Sequence, residues 1–122
     1  MKALRIIQFW LFLLFCSYLA MTPAPPAIIQ TLSDKLLHAV GYLMLYLSCS
    51  IAYPLPSHVS RKLLGLLGYS ILIEILQNSI PHRGFSLLDI LANALGLLLG
   101  LGLSLLLGHY LRKHKTDNPD AN

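Results

Sequence analysis

Apolar residues fall into four blocks along the chain, and proline or a cluster of polar residues closes each one. A membrane-crossing helix takes roughly 20 residues, and each block is close to that length. The first covers residues 6–21, after a basic start at Lys2 and Arg5. Pro23, Pro25 and Pro26 follow and cannot continue a helix, so residues 22–33 read as a loop. The second block, 36–53, ends at Pro54 and Pro56, and a polar turn leads through Arg61 and Lys62. The third, 63–80, stops at Pro81, and residues 81–86 form a tight connection containing Gly84. The fourth spans 89–110, and the polar residues 111–122 read as an unstructured tail. This pattern predicts an all-α membrane protein, a single domain of four transmembrane helices over residues 1–122.

Composition agrees. The chain is 56% hydrophobic and 11% charged, whereas soluble domains carry about a quarter charged residues. Its net charge of +4 is not gathered on a polar domain, so nucleic-acid binding is a poor explanation and membrane topology a better one. The rival reading of the first block is a cleaved signal peptide. Ala20-Met21-Thr22 followed by Pro23 makes a poor cleavage site, and Phe15 before Cys16 does not suit a lipoprotein signal. The block is therefore read as an uncleaved span. Cys16 and Cys49 lie in separate apolar blocks and at different depths, so no disulfide is expected. No metal site or other cofactor is expected either, because no CxxC or HxxxH pair exists.

Basic residues set the expected orientation. Of nine Lys and Arg residues, Lys2, Arg5, Arg61, Lys62, Arg112, Lys113 and Lys115 fall on one side of the topology. Only Lys35 and Arg83 fall on the other. Both termini are thus expected in the cytoplasm, with the loops around Pro25 and Arg83 facing outward, in a multi-pass protein of a bacterial cytoplasmic membrane.

Polar groups within the spans carry the chemistry. Ionisable residues at membrane depth are costly and by default mark a function or a packing need. Asp34, Lys35, His38 and Tyr42 open the second span and share an arc of about 100°. Glu74, Gln77 and Asn78 close the third span within a similar arc, and Asp89 and Asn93 open the fourth at i and i+4. Arg83 sits in the loop above them. On the fourth span Ala92, Gly96, Gly100, Ser104 and Gly108 recur every four residues, a small-residue seam that allows close helix approach. Asp89 and Asn93 lie in line with that seam, so they should face the bundle. The expectation is one outward-opening polar pocket between spans two, three and four.

Asp34-Lys35-x-x-His38-x-x-x-Tyr42, Glu74-x-x-Gln77, Arg83 and Asp89-x-x-x-Asn93-x-x-Gly96 together resemble the VanZ-like family. The resemblance covers residues 33–107. It implies a small integral membrane protein connected with low-level resistance to the glycopeptide teicoplanin, and it brings no defined biochemical activity.

Each of these residues also has a structural reading. Thr31-x-x-Asp34 and Ser86-x-x-Asp89 match the capping box, although capping leaves His38 and Asn93 unexplained. His38 is a candidate either for a hydrogen bond joining helices two and three or for proton transfer and ligand contact. Glu74 is too deep to cap its own helix; it must be neutral, watered, or paired with Arg83, Lys35 or His38. Arg83 suits a head-group anchor or a phosphate clamp. Gln8 reads as a tolerated amide, and Trp10 as an interfacial or packing aromatic. No GxSxG, HExxH, P-loop or GxGxxG is present, so whether the chain is an enzyme stays open. Two functions lead: a site binding or acting on an envelope lipid or lipid-linked precursor, and a non-catalytic scaffold or partner subunit with a structural polar cluster. A proton-linked transporter component, workable only as a homo-oligomer, ranks third.

Overall fold

A computed structural model describes residues 1–23, 34–54, 58–81 and 83–117. They form four helices: α1 Lys2–Met21, α2 Asp34–Ala52, α3 Val59–Gln77 and α4 Leu87–Asp117. The helices run alternately up and down. Gln8 near the start of α1 donates to the Ser48 hydroxyl near the end of α2, and Gln77 at the end of α3 donates to the Ala20 carbonyl at the end of α1 at 2.9 Å. The ends of α1 and α3 therefore lie beside the starts of α2 and α4.

Three of the four helices, α1, α2 and α4, are long and apolar enough to cross a membrane. The third helix has 19 residues but carries Arg61, Lys62, Glu74 and Gln77, which dilutes its hydropathy. Leucines along α4, among them Leu91, Leu95, Leu98, Leu105 and Leu106, are exposed. In water such a surface would be costly; against lipid tails it is the expected exterior.

Helix boundaries depart most from the expected spans at α3 and at the end of α4. The third helix starts at Val59, so Arg61 and Lys62 stand in its first turn rather than in a connecting turn, and it ends at Gln77. Asn78 to Ile80 then form turns, with Ser79 and Ile80 donating to the carbonyls of Leu76 and Gln77 at 3.0 Å. The expected tail is helical as far as Asp117. Arg112 to Lys115 are good helix formers with no proline or glycine among them, and their charge is favourable near a helix C-terminus. The loop around Pro25, and Thr31 of the first capping box, lie outside the described residues.

The core joins Phe9, Tyr42, Leu45, Tyr46, Cys49, Ala52, Leu66 and Leu97. Helices α2 and α4 make the most extensive contact, and α1 packs on α2 and α3. Glycine permits the α2–α4 approach. A Cβ at Gly96 would run into the Ala39 carbonyl oxygen, and one at Gly100 would stand 2.9 Å from the Leu43 carbonyl oxygen and from Tyr46 Cβ. The seam ends there as an inter-helix contact, since a Cβ at Gly108 would meet only the Arg112 side chain of its own helix. Cys16 and Cys49 are both free thiols.

Candidate functional site

The polar residues of α2, α3 and α4 converge at the end of the bundle where α2 and α4 begin. His38 is their centre. Its Nδ1 lies 3.1 Å from Asn93 Oδ1, while Nε2 faces three carboxylates: Asp34 Oδ1 at 3.9 Å, Glu74 Oε1 at 4.0 Å and Asp89 Oδ2 at 3.9 Å. The helical spacing explains the Asp34 contact, because residues four apart are neighbours on one face. Close α2–α4 packing at Gly96 explains the contacts to Asp89 and Asn93.

Asn93 is fully buried and ties three helices together. Its Nδ2 donates to Ser70 Oγ at 2.7 Å. With the amide nitrogen so engaged, Oδ1 must be the group facing the imidazole, and an oxygen there can only accept. His38 Nδ1 is therefore the donor, and Nε2 is left turned toward the carboxylates. His38 joins α2 to α4 by this bond, rather than α2 to α3 as the sequence suggested. Ser70, wholly buried, was not among the residues singled out from sequence. Its only signal is a position one turn before Glu74 on the same face of α3.

The Ser86–Asp89 capping box is half formed. The Asp89 amide lies 3.2 Å from Ser86 Oγ, as an N-cap requires. The reciprocal bond is not made by the Asp89 side chain. Instead the Ser86 amide donates to Glu74 Oε2 at 3.1 Å, so a carboxylate of α3 completes the cap of α4. Asp89 is thereby released to face Lys35, whose Nζ is 3.4 Å from Oδ1, and His38. Of the three cations considered for Glu74, the structure places His38 nearest, and Lys35 goes to Asp89.

Two residues organise the rim. Gln77 is buried and holds the last turn of α1 through the Ala20 carbonyl, one of the groups that a helix end leaves unpaired. Asn78 Oδ1 accepts from the Phe85 amide at 3.3 Å, which orders the connection bearing Arg83. The Arg83 side chain is half-buried and forms no ion pair among the described residues.

Two cavities meet at this cluster. A polar one of about 340 Å³ is lined by Pro23, Asp34, His38, Gln77, Arg83, Gly84 and Asp89. An apolar one of about 530 Å³ runs down between α1, α2 and α3 past Phe12, Phe15, Leu37, Met44 and Tyr69. Asp34, His38, Gln77 and Arg83 line both. Tyr42 lines the apolar cavity and is buried.

Of the nine residues expected to form a polar site, the structure thus brings Asp34, Lys35, His38, Glu74, Asp89 and Asn93 into one connected group. Gln77 and Arg83 line its opening, and Tyr42 lies one turn below His38. The chain has no CxxC or HxxxH pair. Across helices, however, Asp34, His38 and Asp89 present donor atoms within 4.8 Å of one another. No family model, curated protein or solved structure matches this chain.

Proposed function

We propose that the chain is a four-span protein of VanZ-like type with both termini in the cytoplasm. Its outward end holds the phosphate-bearing head of an envelope lipid or lipid-linked precursor. The observation that carries this reading is that the two cavities adjoin, sharing Asp34, His38, Gln77 and Arg83 in their linings. An apolar cleft among helices offers room for an acyl or prenyl chain. At its polar end stand Arg83, with no ion pair among the described residues, and the His38 cluster. Guanidinium geometry suits a phosphate, which it binds through two parallel hydrogen bonds. A link to teicoplanin susceptibility belongs to the same proposal.

The second reading, a scaffold whose polar groups only join helices, draws support from the Ser70–Asn93–His38 chain and the Glu74–Ser86 cap. The two readings separate when Glu74→Gln and Arg83→Lys proteins are compared with the parent for membrane abundance and for the resistance phenotype. The site reading expects normal abundance with lost phenotype. Retained phenotype at normal abundance contradicts it, and lost abundance with assembly failure supports the scaffold.

A further inference from the structure

We infer that the Asp34–His38–Asp89 cluster, completed by Glu74, is a binding site for a first-row divalent cation such as Mn²⁺ or Zn²⁺. The donor set comes from three helices. Asp34 Oδ1, Glu74 Oε1 and Asp89 Oδ2 stand 3.9, 4.0 and 3.9 Å from His38 Nε2. With metal–ligand distances of roughly 2.0–2.2 Å, tetrahedral donors lie about 3.4 Å apart, so each carboxylate needs to close on Nε2 by about half an ångström. The Asp34 and Asp89 donors, within 4.8 Å of each other, must also draw together. The side chains reach the cluster from the starts of α2 and α4 and the last turn of α3. Asp34, whose side chain is 63% exposed, has the most room to move.

Glu74 supplies an independent observation. Its side chain is 1% exposed, yet Oε1 has no hydrogen-bond partner and is aimed at Nε2. Its other oxygen is satisfied by the Ser86 amide. A buried carboxylate oxygen without a donor is costly, and a cation beside Nε2 would satisfy it. Asp89 Oδ1 is likewise buried without a hydrogen bond, with only the Lys35 ammonium at 3.4 Å.

The imidazole is prepared for the same role. Metal-binding histidines use the second ring nitrogen to donate to an acceptor that fixes tautomer and orientation. Here Asn93 Oδ1 takes that part, and Ser70 fixes Asn93 in turn. Charge balance points the same way. Three carboxylates face the Lys35 ammonium and, at the rim, the Arg83 guanidinium, so the cluster keeps net negative charge that favours a cation. Mixed imidazole and carboxylate donors suit Zn²⁺, Fe²⁺ or Mn²⁺ rather than the all-oxygen sites of Ca²⁺ and Mg²⁺. The inference stands on this geometry and does not require the lipid reading.

The test is titration of chelator-treated full-length protein in detergent with Mn²⁺ alone, followed by electron paramagnetic resonance, with Zn²⁺ as competitor. The expected result is one bound Mn²⁺ per chain, displaced by Zn²⁺, with nitrogen coupling from a single imidazole. His38→Gln should remove that coupling. Asp34→Asn, at a position whose side chain is 63% exposed, should weaken binding by at least about tenfold, because even outer-shell partners of metal ligands contribute that much. Because Asp34 is at the rim, this variant decides the matter even if His38→Gln misfolds. Absence of stoichiometric Mn²⁺ and Zn²⁺ binding by folded protein overturns the inference, as does binding unchanged in Asp34→Asn. Arg83→Ala, which the lipid reading needs and the donor set does not, separates the two: lipid lost with metal retained supports both.

Discussion

Glu74 of α3 accepts a hydrogen bond from the backbone amide of Ser86, 3.1 Å away at the start of α4. A single buried carboxylate thus does two things. One oxygen closes the N-terminus of the next helix, where negative charge is favourable, and the other points at His38. Glu74→Ala removes both and should cost about 1–3 kcal/mol, the usual penalty for leaving buried partners unsatisfied. Glu74→Gln retains an acceptor for Ser86 and should cost less than half as much. Unfolding titrations in mixed micelles, followed by helix content, give the comparison.

The α2–α4 seam makes a prediction of opposite signs. Gly96→Ala places a Cβ against the Ala39 carbonyl, which is backbone and cannot swing away. It should destabilise by about 1–3 kcal/mol, typical of overpacking. At exposed Gly102 a Cβ meets nothing within 4 Å, and alanine there should be neutral or stabilise by up to about 1 kcal/mol through helix propensity. The same unfolding assay on both variants checks the pair.

Asn93 and Ser70 should be energetically coupled. Hydrogen bonds between helices in membranes average about 0.6 kcal/mol, with a maximum near 1.7. Ser70 is wholly buried and Asn93 almost so. A double-mutant cycle with Ser70→Ala and Asn93→Ala should therefore return a value toward the upper end. Additive effects would mean that the contact contributes nothing to stability.

The proposed orientation can be read by labelling. In a protein lacking Cys16 and Cys49, Gly84→Cys should react with an impermeant thiol reagent added to intact cells. Lys62→Cys should react only after permeabilisation. The opposite pattern would turn the bundle over and place the polar end in the cytoplasm.

Much of this arrangement was legible in the sequence because it follows from period alone. Asp34 and His38 are four apart, as are Asp89 and Asn93, and the Gly96–Gly100 repeat tells which face of α4 is packed. Contacts between helices were less legible. The partner of His38 was expected on helix three, but the glycine seam brings α2 nearer to α4, and Asn93 takes it. Ser70 carried only a weak signal, its place one turn before Glu74, because an isolated serine is common in apolar helices. The role of Glu74 at Ser86 was hidden for another reason: the Ser86–Asp89 spacing suggested that α4 capped itself. Of the metal donors only Asp34 and His38 share a helix; Glu74 and Asp89 join them from two others, which local spacing does not show. Gln8, read as a tolerated amide, proved to be a strut to Ser48.

The claim that the polar end is a ligand site, and not merely a junction, is tested most directly by native mass spectrometry of gently extracted protein. The account predicts a phosphate-bearing lipid retained by the parent chain and lost in Arg83→Ala, with helix content unchanged. Protein that carries no lipid, or a lipid held equally by parent and Arg83→Ala, would contradict it.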